Sequence, residues 1–330
     1  MLTDAFNRPI TYLRISVTDR CNLRCVYCMP AEGIQQVSHA GIMRYEEIAA
    51  FVRVAAQAGV SEIRLTGGEP LARLGLPALV AMLAEIPGIR DISLTTNGLL
   101  LERFAAELKQ AGLKRVNVSL DTLRPERYAR ITRGGSFEQA WRGLLAAEAA
   151  GLTPIKLNVV AMRGVNDDEI IDLARLAVER AWHVRFIELM PFTAIQPEQW
   201  DGLVSDPSGA FISIAEIKQI LAPLSLEALA AHNGNGPARE YSLSGGLGRL
   251  GFISPLSEHF CQECNRLRLT ADGNLRPCLF SDLEIPILPA LRRGEPLQPY
   301  IEQAVGLKPR GHDLQETRRP LTRCMTQIGG

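Results

Sequence analysis

The sequence predicts an α/β fold: an incomplete (β/α)6 barrel at residues 1–190, followed by a smaller C-terminal domain at residues 191–330. The first observation is that short strand-like segments alternate repeatedly with amphipathic helical segments, which is typical of parallel strands joined by crossover helices. The second observation is that several of these strands carry polar side chains on one face. A closed eight-stranded barrel packs branched apolar side chains on its inward face, so we expect an open barrel with a polar interior.

The predicted strands follow from the alternation of apolar and polar side chains. Residues 11–17 alternate in this way, and further strands are predicted at residues 62–66, 90–95, 114–119, 154–160 and 182–188. Apolar stripes and capping residues predict helices at residues 45–58, 76–86, 101–110, 137–150 and 167–180. Ser136 is a predicted N-cap, Gly59 ends the first helix, and Asn166 precedes an acidic first turn that suits the helix dipole.

The polar face of the strands carries charged and hydrogen-bonding side chains. Its members are Arg14, Ser16, Arg64, Thr66, Ser93, Thr95, Asn117, Ser119, Lys156 and Asn158. If the apolar face packs against the helices, the polar face lines an interior that requires a polar occupant. The alternative is a six-stranded open sheet with one solvated face. The last strand is apolar on both faces apart from its charges, so it does not fix the direction of Arg185.

Charge and cysteine content narrow the range of partners. The chain of 330 residues has 36 basic and 36 acidic side chains, so no global field favours nucleic acid or an anionic membrane. Six of the seven cysteines lie in two tight clusters, which is typical of metal ligands in a reducing cytosol. The N-terminus lacks the features of an export signal, and no apolar run is long enough to span a bilayer. We therefore expect a soluble cytoplasmic protein with no nucleic acid and no membrane partner.

The first cysteine cluster is predicted on the loop after the first strand and comprises Cys21, Cys25 and Cys28. Three thiolates at this spacing can hold three irons of a cubane and leave the fourth iron open for chemistry. The alternative is a structural zinc site or a chance grouping. Structural zinc normally has four protein ligands, and no other Cys or His lies within about ten residues of the cluster.

A glycine pair, Gly67-Gly68, directly follows the second predicted strand. Glycine permits close approach of the backbone to a ligand, and barrel ligands bind at the carboxyl ends of the strands. Taken alone, the pair is weak evidence because tight turns use glycine constantly.

The second cysteine cluster comprises Cys261, Cys264 and Cys278. A hairpin is predicted nearby, with strands at residues 267–270 and 274–276, and a CxxC pair beside a hairpin is also common in zinc ribbons. The fourth ligand of such a zinc would be Cys324, His259 or His312. Residues 189–250 are interrupted by proline and glycine and predict only one helix, at residues 214–221.

These patterns together resemble a known family. The first cysteine cluster, with Tyr27 directly before its last cysteine, resembles the signature of the radical S-adenosylmethionine (SAM) superfamily. With the motif at residues 66–70, the second cysteine cluster, the segment 265–268 and the terminal Gly329-Gly330, it resembles the molybdenum cofactor biosynthesis protein A family of that superfamily. The resemblance runs from about residue 8 to the last residue.

The resemblance implies a radical enzyme with two [4Fe-4S] clusters and SAM. Its substrate would be GTP and its product (8S)-3′,8-cyclo-7,8-dihydroguanosine 5′-triphosphate, in the first step of molybdenum cofactor biosynthesis. By position, the resemblance implies SAM contacts at Tyr27 (through its backbone), Gly68, Ser119 and Met190. It implies GTP contacts at Arg14, Arg64, Thr95, Lys156, Arg185, Arg266, Leu267 and Arg268. It also implies that the tail folds back into the site, with catalytic roles for Gly329 and Gly330.

The resemblance also implies partners. The product would pass to the cyclic pyranopterin monophosphate synthase, a reductant protein would supply electrons, and the family allows a homodimer. Two other classes share part of the pattern. A different radical SAM enzyme with one auxiliary cluster would not need the basic inner face or the Gly-Gly end. A non-catalytic iron–sulfur redox protein would need neither the glycine motif nor a polar barrel interior.

Overall fold

A computed structural model describes residues 2–190, 200, 202–204, 207–229, 236–312 and 323–329 of the chain. At its centre lie six strands that pair in parallel and in chain order. They are β1 (Tyr12–Ser16), β2 (Glu62–Thr66), β3 (Asp91–Thr96), β4 (Arg115–Ser119), β5 (Lys156–Ala161) and β6 (His183–Glu188). The six predicted strands are confirmed, with bounds that differ by no more than about two residues.

Helices connect these strands and pack against one face of the sheet. They are α1 (Tyr45–Ala58), α2 (Leu76–Ala84), α3 (Leu101–Gln110), α4 (Pro125–Thr132), α5 (Phe137–Ala149) and α6 (Ile170–Glu179). The predicted cap of α5 is confirmed, since Ser136 Oγ accepts the N–H of Gln139 at 3.2 Å. Asn166 acts differently from a cap. Its amide donates to the carbonyl oxygens of Asp121 and Val160, and the acidic turn after it is a short 3-10 helix.

The apolar faces of strands and helices form the core. Along β1 to β5 the apolar side chains that pack against the helices alternate with polar side chains. The buried apolar set includes Leu13, Ile15, Ile63, Leu65, Leu94, Val116, Val118, Leu157 and Val159. Full burial of such a side chain stabilises the fold by about 1.5–3 kcal/mol. The period of two therefore directs the polar side chains of the same strands to the opposite face.

The C-terminal segment extends this sheet at both edges. On one side β9 (Arg249–Ile253) pairs in parallel with β6, and on the other β10 (Arg266–Leu269) pairs in parallel with β1. Antiparallel strands complete the twelve-stranded order, namely β7 (Leu226–Ala228), β8 (Arg239–Leu243), β11 (Asn274–Arg276) and β12 (Ile285–Pro286). Edge strands expose unpaired backbone groups, and β9 and β10 satisfy those of β6 and β1. Division of the chain into two domains at residue 190 stays a prediction.

The remaining helices are α7 (Ile214–Ile220), α8 (Leu288–Arg292), α9 (Gln298–Gly306) and α10 (Met325–Ile328). The predicted helix at residues 214–221 is α7, which begins with a capping box formed by Ser213 and Glu216. The predicted hairpin is the antiparallel pair β10 and β11. Within the described residues, the helices are all too short or too polar to cross a membrane.

Two helical glycines offer a matched test of the packing between helix and strand. A Cβ on Gly143 in α5 would lie 2.1 Å from the carbonyl oxygen of Gly98, whereas one on Gly306 in α9 would meet no described atom within 4 Å. We expect Gly143→Ala to lower the free energy of unfolding by about 1–3 kcal/mol, because α5 must move away from its contact. Gly306→Ala should leave it unchanged or raise it by up to ~1 kcal/mol. Urea unfolding followed by circular dichroism measures both, and equal stability of the two variants would contradict the packing.

Candidate active site

The strand register places the predicted polar side chains on one face of the sheet. Residues that pair across parallel strands point to the same side. One row across the sheet comprises Arg268, Arg14, Arg64, Ser93 and Arg115. The next comprises Thr95, Asn117, Lys156, His183 and Arg249, and a third comprises Ser119, Asn158 and Arg185. Arg185, whose direction the sequence left open, therefore shares this face.

This basic face is an interior. Arg64, Arg185 and Arg268 are only 6%, 4% and 5% exposed. Several buried polar atoms on the face have no hydrogen-bond partner in the described part of the chain, namely Tyr12 Oη, Thr95 Oγ1, Asn117 Oδ1, Asn158 Oδ1 and Arg185 Nε. Leaving such an atom unsatisfied costs roughly 1–3 kcal/mol. The face therefore fits a polar occupant, and the alternative of a solvated sheet face is wrong.

A cavity of about 920 Å³ opens on this face at the amino ends of the strands. Its lining includes residues of the basic face and of the second cysteine segment, among them Arg64, Arg115, Lys156, Arg185, Phe260 and Gln262. The volume lies in the range usual for small-molecule sites. The cavity thus connects the basic face to residues next to Cys261 and Cys264, at the end of the strands opposite the first cluster.

Burial and mutual repulsion weaken the protonation of these cations. Burial, followed by repulsion from Arg185, lowers the pKa of Lys156 to about 7. Burial also lowers the pKa of Arg268 to about 9 and the pKa of Arg185 to about 10. Guanidinium groups stay charged in proteins, so the site holds positive charge that is poorly balanced. An anion bound among these side chains would offset that cost.

Glu240 supplies negative charge that the sequence did not indicate. Its carboxylate accepts from Arg249 at 3.1 Å and lies 3.4 Å from Arg185 and 3.6 Å from His183. The contact with His183 and the charge of Arg185 lower the pKa of Glu240. Glu240 lies on β8, in a stretch where proline and glycine obscured the strands. Sequence reasoning also did not place Arg115 on the basic face. Arg115 alternates along β4 with the other polar side chains, and this pattern could have predicted its place.

The loop of the first cysteine cluster is fastened to the carboxyl ends of the strands. Tyr27 Oη donates to Asp121 at 2.7 Å, and Asp121 also accepts the N–H of Val160 at 2.8 Å. The guanidinium of Arg133 donates to two carbonyl oxygens of the loop, 2.8 and 3.1 Å away. These bonds hold the loop to β4, β5 and α4, so the cysteines have a fixed position relative to the basic face.

The thiols of the first cluster are free and half-buried. Burial raises the pKa of Cys21 to about 11, and burial followed by the charge of Cys28 raises the pKa of Cys25. Bound iron would supply the positive charge that these thiolates need. No three described His, Cys, Asp or Glu side chains are placed to hold one metal ion, whereas each thiolate of a cubane binds a different iron. The residues fit a [4Fe-4S] cluster with three protein ligands.

The second cysteine cluster lies in a more basic environment. Burial raises the pKa of Cys261. Burial acts in the same direction on Cys264, but Arg266 and Lys308 outweigh it and lower the pKa of Cys264 to about 6. Arg8 donates to the carbonyl oxygen of Cys261 at 2.6 Å and so ties the N-terminal segment to this site. Nearby cations favour thiolates, which are the form that binds iron.

The residues considered as a fourth zinc ligand do not complete the second cluster. Cys324 lies beside Cys28 of the first cluster, where burial, Cys21 and then Cys324 raise the pKa of Cys28. His259 and His312 contact each other, with 3.3 Å between Nδ1 and Nε2. His312 meets Cys261 only through its backbone N–H among the contacts described, and no three described His, Cys, Asp or Glu side chains are placed to hold one zinc ion.

The glycine pair accommodates the chain's own backbone. A Cβ on Gly67 would lie 2.3 Å from the carbonyl oxygen of Thr18, and one on Gly68 would lie 2.2 Å from that of Arg20. The N–H of Gly68 donates to Thr18 at 2.7 Å. The close approach is thus made by the segment that leads into Cys21. A SAM contact at Gly68 stays a prediction and would use the carbonyl group.

The carboxyl ends of the strands hold the other predicted SAM contacts. Ser119 ends β4, and Met190 follows β6, at the same end of the sheet as the first cluster. Their contacts, and that of the Tyr27 backbone, stay predictions. Sequence reasoning missed two buried carboxylates here. Burial raises the pKa of Glu69 to about 7 and that of Asp121 to about 6, and both accept hydrogen bonds that join neighbouring loops.

The segment at residues 266–268 divides between two faces. Arg268 lies on the basic face beside Arg14, and the guanidinium of Arg266 lies 4.9 Å from the ring centre of Phe260. Leu267 is 1% exposed and belongs to the apolar core. Its side chain therefore cannot contact a ligand on the basic face, and a GTP contact there would use the backbone. The alternation of this strand already carried that signal.

The C-terminal tail enters the basic face. Gly329 is buried with φ of +81°, and a Cβ there would lie 2.7 Å from Thr66 Cγ2 and 3.4 Å from Ser16 Cβ. Its carbonyl oxygen accepts a hydrogen bond from Arg268. Both the left-handed backbone and the lack of space favour glycine at this position. Gly330 lies outside the described residues, and the catalytic roles of both glycines stay predictions.

Comparison with known proteins identifies the family. Residues 15–177 match the radical SAM superfamily, and residues 182–314 match the family Molybdenum Cofactor Synthesis C. The chain is 54% identical to a protein named GTP 3′,8-cyclase from Moorella thermoacetica and 51% identical to one from Pelotomaculum thermopropionicum, with each chain covered in full. The chain belongs to the GTP 3′,8-cyclase family.

Solved structures similar to this family member support the fold. SuiB of Streptococcus suis is 14% identical, with a TM-score of 0.58 over 82% of this chain, which spans 60% of SuiB. The protein anSMEcpe with bound AdoMet is 16% identical, with a TM-score of 0.54 over 85% of this chain and 75% of its own. The α/β radical SAM fold is thereby confirmed.

Arg323 offers a test of how this family member holds its tail. The Arg323 guanidinium donates to both carboxylate oxygens of Asp272, at 3.1 and 2.8 Å, and to Glu284 at 2.7 Å. Charge-assisted bonds contribute about 1.5–3 kcal/mol each, so Arg323→Ala should speed amide exchange at residues 323–329 by about ten- to 100-fold. Hydrogen-exchange mass spectrometry measures this. Arg293→Ala, which removes an exposed pair with Glu295, is the control. Unchanged exchange in Arg323→Ala would contradict the anchor.

Proposed function

We propose that the chain converts GTP to (8S)-3′,8-cyclo-7,8-dihydroguanosine 5′-triphosphate, using SAM and two [4Fe-4S] clusters. The observation that carries the proposal is the buried basic face, which holds Arg14, Arg64, Lys156, Arg185 and Arg268. It adjoins a cavity lined in part by residues next to Cys261 and Cys264 of the second cluster. A triphosphate supplies the anion that this face needs, and arginine forks suit phosphate oxygens. The name of the 54% identical relative supports GTP as the substrate.

Cys21, Cys25 and Cys28 would hold a [4Fe-4S] cluster, which when bound and reduced would supply the electron for cleavage of SAM and so the radical chemistry at C3′ of GTP. The chain's own residues position the substrate. Lys156 and the arginines of the basic face hold the triphosphate, and the second cysteine segment, which lines the cavity, receives the guanine. Gly329 fills the space between Ser16 and Thr66 and keeps water from that part of the face.

The proposal includes the partners of the enzyme and the compartment in which it acts. The cyclised product passes to the cyclic pyranopterin monophosphate synthase, and a reductant protein of the cytoplasm supplies the electrons. A homodimer is the assembly to test. A reducing compartment suits the proposal because the free thiols must remain available for iron.

Anaerobic incubation with SAM, dithionite and one nucleoside triphosphate at a time tests the activity. We expect 5′-deoxyadenosine and cyclised product with GTP, and only the SAM-alone level with ATP, CTP or UTP. Deletion of Gly329 and Gly330 should leave iron content and GTP binding near normal but lower cyclised product by up to about 100-fold, the scale of a small misplacement of reacting groups. Equal 5′-deoxyadenosine with all four nucleotides would indicate a different radical SAM enzyme. Full cyclisation by the truncated chain would remove the tail from the mechanism.

Lys156 provides a pH test of the triphosphate site. Its pKa of about 7 leaves the free amine mostly neutral at pH 8, and a bound triphosphate raises that pKa. GTP binding at pH 8 should therefore take up protons, approaching about one per GTP, and the uptake should vanish where the lysine is already charged, near pH 6. Calorimetry in buffers of different ionisation enthalpy measures the uptake. Lys156→Met should abolish it, while Lys114→Met, at an exposed position, should retain it. Uptake that persists in Lys156→Met would place the triphosphate elsewhere.

A further inference from the structure

Lys308 is a buried lysine beside the second cysteine cluster. Its residue is 4% exposed. Its Nζ lies 3.5 Å from Cys264 Sγ and 2.8 Å from each of the carbonyl oxygens of Arg266 and Pro277. Pro277 directly precedes the third cysteine of the cluster, Cys278. One amino group therefore links the two segments that carry the cysteines.

Burial lowers the pKa of Lys308, but the atoms around its Nζ are acceptors and suit the protonated form. An ammonium has three donors and no acceptor, which matches the two carbonyl oxygens and the sulfur around it. A buried ammonium also needs a negative partner to offset its lost hydration. No described carboxylate pairs with Lys308, and the anionic groups that act on it are the thiolates of Cys264 and Cys278. Its charge is thus balanced by the sulfur ligands of the second cluster.

The other cations at this site have different partners. Arg8 pairs with Asp4 at 2.6 Å, so a carboxylate balances its charge. Arg266 also acts on Cys264, but it is a predicted GTP contact, so its charge is shared with the substrate. Lys308 is held by two backbone carbonyl groups and is not among the predicted GTP contacts, so its charge is not shared with the substrate.

We propose that Lys308 is the counter-ion of the second [4Fe-4S] cluster and raises its reduction potential. The inference rests on the second cluster of the proposed function. One-electron reduction adds negative charge to a group that three thiolates already make negative, and the adjacent ammonium stabilises that charge. Hydrogen bonds to sulfur and local charge are recognised determinants of cluster potentials. The electron comes from the external reductant, and no bond of the protein forms or breaks.

The test uses the chain with Cys21, Cys25 and Cys28 all changed to Ala, which isolates the second cluster. After anaerobic reconstitution this parent should hold about four irons. Dithionite titration followed by electron paramagnetic resonance gives the midpoint potential. Lys308→Met should lower the potential by about 59 mV or more, a tenfold change in the equilibrium constant of a one-electron couple. Lys308→Arg should keep most of the potential, and Lys114→Met, which removes an exposed charge, should match the parent.

The outcomes separate this inference from the proposed function. An unchanged potential in iron-loaded Lys308→Met overturns the inference and leaves the second cluster in place. Failure of the parent itself to bind iron overturns the second cluster. If Lys308→Met does not retain iron, the potential of Lys308→Gln is measured instead. A lower potential of Lys308→Gln than of the parent supports the counter-ion. Iron loss from both neutral variants, but not from Lys308→Arg, supports it as well. Iron loss from all three variants overturns it.

Discussion

Buried positive charge on one face of the sheet is the constraint on which the rest of this structure depends. Arg268, Arg14 and Arg64 stand side by side on three neighbouring strands, and two of them are almost fully buried. Like charges about 5–8 Å apart repel by about 2–3 kcal/mol at an effective dielectric constant of ~20. The apolar face of the same strands offsets this cost through core packing. Such a face suits a bound anion.

The basic face is assembled from both matched parts of the chain. Arg64 belongs to the radical SAM part and Arg14 directly precedes it, whereas Arg268 reaches the face only because β10 pairs with β1. The first cysteine cluster lies at the carboxyl ends of the strands, and the cavity at the amino ends is lined in part by residues next to Cys261 and Cys264. The interior of the sheet therefore lies between the two cysteine-bearing loops. The tail enters between them at Gly329 and is held there by Arg268.

The strands and the polar face could be predicted because both depend on a local period of two. In β1 the side chains of Leu13 and Ile15 alternate with Arg14, so one short segment specifies its own faces. The cysteine clusters were equally visible as close spacings. Pairing between distant segments carries no local signal, so the attachment of β10 to β1 and the approach of Glu240 to Arg185 were not predictable.

Two predictions become more specific once the packing around each motif is known. The glycine pair Gly67-Gly68 has no side chains where the backbone at residues 18–20 passes, and a ligand contact at Gly68 stays a prediction. Leu267 was carried over with its neighbours, although alternation already places it in the core. A motif indicates where a site is, and the packing around it decides which atoms face the ligand.

The pairing of β10 with β1 has a consequence for how the chain is made. Asn265 donates to the side chain of Thr11, 254 residues earlier, at the junction of these two strands. At about 5–20 residues per second, translation leaves the edge of β1 without this partner for roughly 13–50 s. An open strand edge is a template for wrong pairing. The nascent chain therefore carries an exposed edge of β1 until its last fifth emerges. During that interval a chaperone that covers this edge would prevent the most wrong pairing.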